Sequence, residues 1–383
     1  MYRVDAQQQV LLERFRRLAD EQIAPFAEDV DEQGRFPREA VQALASNGFL
    51  GLTIPAAFGG MGQGIGFACV ILDEMARRCA STAMIYLMHL CGCTCYGAAP
   101  QAAGEALKDA AAGKHLTTLA WSEKGSRSHF WAPISQAVER DGTVVLNALK
   151  SWVTSAGEAE GYVVSTRTPG GIQPLDTMLY LVKKGDPGIR VSGAWNAMGM
   201  RGNASAPMTL ENCAIPAARA LCASGKGFPT MLEVVLPWFQ LGNAAISVGL
   251  AEAATQATVA HLTHRRMEHL NQALADLPNL RARLARMRIE TDQARAHLVS
   301  TIEAVEHPGE QTMLLVLESK AAAAETALRV TSLGMQTCGG AAFSGHLSLE
   351  RNFRDAHAAA VMAPTTDVLH DFIGRALCGM ELF

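Results

Sequence analysis

Asp141-Gly142-Thr143-Val144-Val145-Leu146-Asn147-Ala148-Leu149-Lys150-Ser151-Trp152-Val153-Thr154-Ser155-Ala156 sets the fold class of this chain. Asp-Gly favours the left-handed backbone at two successive positions, which is the geometry of a tight hairpin turn. The β-branched, apolar run behind it is a strand signal. Similar short runs, separated by turns, occupy 116–121, 134–138, 161–166, 178–182, 189–191 and 208–210. With 143–146, they make seven short strands within about 100 residues, and this density predicts a sandwich or barrel instead of a parallel sheet.

The flanks have a different texture. Leu11, Leu12, Phe15, Leu18, Ile23 and Phe26 recur at helical spacing, and Pro37 stands at a helix start ahead of Val41, Leu44 and Leu50. The glycines of 55–64 imitate a dinucleotide-binding loop, but no strand–helix–strand unit surrounds them, so they predict an ordinary loop. Beyond residue 226 long helices are predicted at 237–264, 280–305, 311–338 and 366–377. Long helices joined by short loops predict an antiparallel four-helix bundle. The chain is therefore expected to be an α+β multidomain protein. Residues 1–114 form an N-terminal all-α domain, 115–224 a central β-barrel or sandwich, and 225–383 a C-terminal helical bundle.

Composition narrows the function. The 383 residues are 49% apolar and 18% charged, which suits large cores and argues against disorder. A net charge of -4 argues against nucleic acid as a partner, because a polyphosphate backbone calls for a basic face. Nine cysteines include Cys91-Gly92-Cys93-Thr94-Cys95, but there is no Cys-x-x-Cys pair and His89 alone completes no zinc set. No metal site is expected, and these cysteines are predicted to pack as small residues of a buried helix. The N-terminus has no apolar signal core, and no run of about 18 uncharged apolar residues occurs. A cytoplasmic protein with reduced thiols and no membrane span is the expectation.

Five further stretches carry a resemblance. Leu119-Ala120-Trp121-Ser122-Glu123-Lys124-Gly125-Ser126-Arg127-Ser128-His129 is similar to a Thr-Glu-Pro-x-x-Gly-Ser-Asp loop at Ser122, Glu123 and Ser128. Ala148 to Ala156 is similar to Gly-x-Lys-x-Trp-Ile-Thr-Asn-Ala, and Met198-Gly199-Met200-Arg201 to a Met-Gly-x-Arg turn. Gln336-Thr337-Cys338-Gly339-Gly340 matches Gln-x-x-Gly-Gly, and Arg354-Asp355-Ala356 matches an Arg-Asp lead-in. In this order they resemble the acyl-CoA dehydrogenase family over essentially the whole chain. The resemblance implies FAD, with Trp121, Ser122, Ser128, Trp152, Thr154 and Thr365 around it. A flavin ring suits a flat apolar partner, which Trp152 supplies, and hydroxyl donors such as Ser122 and Thr154. The resemblance also places Arg265 on the FAD diphosphate across a subunit boundary, met by Gln336, Gly339 and Gly340 of a neighbour. The aromatic that follows this arginine in the family is Glu268 here. An acyl thioester on CoA or an acyl carrier, a homodimer or homotetramer, and electron-transfer flavoprotein as electron acceptor are further implications.

The resemblance also shows a gap. The family's dehydrogenases use a Glu to remove the substrate's α-proton, and Ala363 stands there, followed by Pro364. Some relatives carry the Glu on the first bundle helix, where this chain has Phe239. Three explanations stay open. Asp367, one helical turn past Ala363, or His370 supplies a displaced base, with His129 and His357 as further candidates. The chemistry is that of a flavin-dependent monooxygenase, in a pocket of Phe239, Trp238, Phe130 and Met362. The chain is a silent subunit paired with a competent paralogue.

Overall fold

The structure, a computed structural model, describes residues 2–127, 129–173 and 175–382. Six helices come first: α1 (Ala6–Gln22), α2 (Ala27–Gln33), α3 (Arg38–Ser46), α4 (Ile65–Ala76), α5 (Ala80–Ala98) and α6 (Pro100–Ala111). The start of α1 is fixed by a capping box in which Asp5 accepts from Gln8 N and the Gln8 side chain accepts from Asp5 N. Its Leu12, Phe15, Leu18 and Ala19 form the buried stripe. Helix α5 is buried along most of its length, with Cys91, Cys93 and Cys95 inside as small core residues. His89 lies there too, its Nε2 2.8 Å from Leu50 O, and burial pushes its pKa down to about 4. No group of three metal-ligating residues occurs among the described residues.

The middle of the chain forms β1 (Thr117–Ala120), β2 (Gln136–Arg140), β3 (Thr143–Val153), β4 (Gly161–Arg167), β5 (Thr177–Lys183), β6 (Ile189–Val191) and β7 (Ala206–Pro216). They make one seven-stranded sheet in the order β1-β4-β2-β3-β7-β6, with β5 on the far side of β4. The β1–β4 pair is parallel, β2 meets β4 in parallel at one position, and the other pairs are antiparallel. Asp141 and Gly142 join β2 to β3 with φ of 49° and 74°, as the dipeptide requires. Strand β3 runs longer than its apolar core suggests. It continues to Val153 through two register shifts, the second between Lys150 and Val153.

The last third holds α7 (Gly227–Pro229), a π-helical stretch at Thr230–Val235, and α8 (Leu236–His264). A small hairpin of β8 (Arg266–Met267) and β9 (Gln272–Ala273) follows. Then come α9 (Pro278–Glu306), α10 (Thr312–Cys338), α11 (Gly340–Phe343), α12 (Leu349–Val361) and α13 (Thr366–Leu377). The segment Gly227–His264 is long and apolar enough to cross a membrane, but 78% of its apolar window is buried inside the protein. Gly249 lets α8 press against α4: a Cβ there would stand 2.4 Å from Asp73 O. Helix α12 was absent from the expected bundle. Its inward face mixes Leu349, Ala356 and Ala359 with the buried polar Asn352 and Asp355, which interrupt the apolar stripe.

Candidate functional site

A cavity of about 1200 Å³ opens between the sheet and the helical tail. Met84 and Met88 of α5, Leu119 of β1, Leu236 and Phe239 of α8, and Val361, Met362 and Ala363 at the end of α12 give it apolar walls. Polar groups enter from Ser122, Ser151, Thr154, Asn203, Ser205, Arg354, His357 and Thr365.

The second irregularity of β3 shapes one wall. Trp152 takes φ 58°, an uncommon conformation for a bulky residue, and its indole is 66% exposed, edge-on to Trp195 at 5.9 Å. Lys150, two residues earlier, points the other way and is fully buried. Its Nζ donates to Glu123 Oε1 at 2.6 Å and to Ser165 O at 2.6 Å. Burial works against the Glu123 charge, but the Lys150 ammonium and donors from Ser135 and Ile134 outweigh it and hold the carboxyl below its usual range. This pair ties the 121–135 loop to β3. The motif comparison touched both residues without assigning them this role; a charge at an inward position of an alternating strand is the signal that marks Lys150.

The opposite wall is α12. Gly199 allows the 198–201 turn to dock on it, since a Cβ would stand 2.4 Å from Arg354 O. Arg354 Nη1 donates to Asp31 Oδ1 at 3.0 Å and Met198 O at 2.9 Å, and Nε donates to Glu350 Oε2 at 2.8 Å. Asp355 accepts from Met200 N, and burial pushes its carboxyl up to about 6. The exit of α12 is held from below by Lys320 of α10, whose Nζ donates to Met362 O at 3.0 Å and Pro364 O at 2.7 Å. Burial pushes this ammonium down to about 7. Sequence reading placed Lys320 only as part of a helix; its signal is a lone cation amid buried Ser319, Ala321, Ala323 and Ala324.

The structure brings together Trp121, Ser122, Trp152, Thr154 and Thr365 on the cavity wall, with His357, Phe239 and Ala363. Trp121 is buried and stacked on Phe130 at 5.7 Å. Ser128 lies outside the described residues. Asp367 and His370 must be corrected: both are exposed and neither borders the cavity. Helix α13 buries Leu369 and Phe372, which turns Asp367 away, and His370 Nε2 lies 3.3 Å from Glu325. His129 is exposed against Trp131, and Trp238 is not among the wall residues. Arg265, Gln336, Gly339 and Gly340 are exposed at the outer end of the bundle and do not reach the cavity of their own chain.

A flavin fits these residues. Trp121 Nε1 and Asn203 Nδ2 are buried donors on cavity-lining residues with no partner among the described residues. Thr154 and Ser205 hydroxyls lie 3.0 Å apart, so one hydrogen joins them and the other remains for a ligand acceptor. Beside them stands the exposed Trp152 indole.

Comparison with known proteins agrees with this geometry. Acyl-CoA dehydrogenase N-terminal, middle and C-terminal domain signatures match residues 5–114, 118–213 and 225–378. Cyclohex-1-ene-1-carbonyl-CoA dehydrogenase of Geobacter metallireducens is 29% identical over 380 residues, which is 98% of this chain and 99% of the relative. Butyryl-CoA dehydrogenase from Megasphaera elsdenii superposes with a TM-score of 0.91 at 22% identity, covering 99% of this chain and 100% of the other. The FAD complex of PigA superposes with a TM-score of 0.90 at 19% identity, covering 99% of each chain. The chain belongs to the acyl-CoA dehydrogenase family of flavin-dependent oxidoreductases.

Proposed function

We propose that this protein binds FAD in the 1200 Å³ cavity and oxidises the CH–CH group of an acyl thioester carried on CoA or an acyl carrier. The observation that carries the reading is the cavity wall itself. An exposed indole, a spare hydroxyl hydrogen and unpartnered buried donors stand on one side, and an apolar chamber on the other. When bound, FAD supplies the acceptor for a hydride from the substrate's β-carbon. Trp152 gives the ring a flat apolar neighbour, and Thr154 or Ser205 donates to one of its acceptors. Met84, Met88 and Phe239 exclude water from the acyl chain.

Trp121, Ser122, Ser128 and Thr365 complete the proposed FAD contacts. Arg265, Gln336, Gly339 and Gly340, exposed in one chain, would serve the cavity of a neighbouring copy, so the proposal includes a homodimer or homotetramer. The division into domains at 114/115 and 224/225, a cytoplasmic location and electron-transfer flavoprotein as electron acceptor belong to the same reading.

The test is anaerobic mixing of the purified flavoprotein with butyryl-CoA, octanoyl-CoA and cyclohexanecarbonyl-CoA. Loss of the visible flavin absorption with at least one of them is the expected result. Product formation only with oxygen and a separately supplied reductant would replace this reading with a monooxygenase. A protein that takes up no flavin would replace it with a silent subunit.

A further inference from the structure

An acyl thioester in this cavity needs an acceptor for its α-proton, and the wall offers few. Ala363 and Phe239 both border the cavity, and neither side chain has a basic atom. Glu123 is committed to Lys150, Ser135 and the Ile134 amide. Arg354 is a guanidinium held by Asp31 and Glu350, and the exposed Lys124 and Arg127 side chains are donors only.

His357 is different. Helix α12 presents Arg354, His357, Ala358 and Val361 to the cavity at i, i+3, i+4 and i+7, so the imidazole belongs to the face that meets the ligand. Its Nδ1 lies 2.8 Å from Phe353 O. A carbonyl oxygen only accepts, so Nδ1 carries the hydrogen and the neutral ring keeps its lone pair on Nε2. The Phe353 ring, edge-on at 4.9 Å and 71°, holds the plane of the imidazole. Nε2 has no hydrogen-bond partner among the described residues. The nearest cation on this face, Arg354, is offset by two carboxylates, which lowers the cost of a second positive charge beside it.

The geometry points to His357 Nε2 as the group that accepts the α-proton of an acyl thioester in this cavity. The inference rests on the acyl-thioester reading above. The Cα–H bond breaks, its electron pair passes into the thioester as an enolate, and an N–H bond forms on Nε2 to give imidazolium. This proton transfer is complete without an oxidant.

The experiment uses acetoacetyl-CoA, whose enolate absorbs in the ultraviolet, and α-deuterium exchange of butyryl-CoA in D2O. Both are measured on the anaerobic holoprotein and on protein stripped of flavin. The wild type is expected to bind acetoacetyl-CoA as the enolate. His357→Gln should slow α-exchange by roughly 100-fold or more, the low end of what a positioned base contributes. His357→Asn, which keeps a donor for Phe353 O, guards against a folding defect and should behave alike. Added imidazole should restore exchange in His357→Ala. Unchanged exchange in correctly folded His357→Gln and His357→Asn overturns the inference while leaving the acyl-thioester reading intact. A wild type that neither binds acetoacetyl-CoA nor bleaches with any thioester removes both.

Discussion

Lys150 and Trp152 are two positions apart on one strand and have opposite fates. Alternation sends Lys150 into the core, and the bulge that follows turns the Trp152 indole into the cavity. Taking away the Lys150 ammonium leaves Glu123 buried without its counter-charge. Lys150→Ala should therefore cost about 3–5 kcal/mol in urea unfolding, and the double variant Glu123→Gln/Lys150→Met less. Asp355 makes a pH prediction. Its folded pKa of about 6 lies above the ordinary 3.8, so the folded state binds the extra proton between those values. Stability from this group is thus highest at low pH and falls as pH rises from about 4 to about 6. Asp355→Asn keeps an acceptor for Met200 N–H and removes the titration. Relative to wild type, the variant should gain about 2–3 kcal/mol on going from pH 4 to pH 7 in denaturant titrations. An unchanged difference between the two pH values would contradict the burial argument.

Elements meet through charge as well as apolar packing. Asp73 of α4 accepts from Arg77 at 2.8 Å and from Arg295 of α9 at 3.4 Å, and Arg295 also donates to Glu252 of α8 at 2.9 Å. The Asp73 side chain is fully buried, so Asp73→Ala removes a buried counter-charge shared by two guanidiniums at the junction of three helices, leaving Arg295 on Glu252 and Arg77 on Glu74. About 3 kcal/mol of stability should be lost, read as a lower urea midpoint with an unchanged m-value. Strands were legible in sequence because Asp141-Gly142 and the β-branched runs act locally. Helix α12 was not, because two of its inward residues are polar, and Asp355 finds its partner, the Met200 amide, in a distant loop. The same distance hid Lys320, whose acceptors Met362 O and Pro364 O lie more than forty residues away. Motif resemblance reached Trp121, Ser122, Trp152, Thr154 and Thr365, all on the cavity wall. Asp367 followed from one-turn spacing alone, and the apolar side of α13 decided against it.

At the scale of the molecule, helices from both ends of the chain and the seven-stranded sheet converge on a large chamber. Arg265, Gln336, Gly339 and Gly340 sit outside it, so a complete FAD site under this account needs a second copy of the chain. Arg265→Ala should keep the fold, since Arg265 is exposed in the single chain, yet weaken FAD binding by roughly tenfold or more, as loss of one charge-assisted contact implies. Unaltered FAD affinity would remove the shared diphosphate contact from the account. The most direct measurement is equilibrium dialysis of the purified oligomer against FAD, with the visible spectrum recorded on the retained protein. The account predicts one FAD per chain, with affinity that falls sharply in Trp152→Ala. Protein that stays colourless in excess FAD, or binds it equally well without the Trp152 indole, would contradict it.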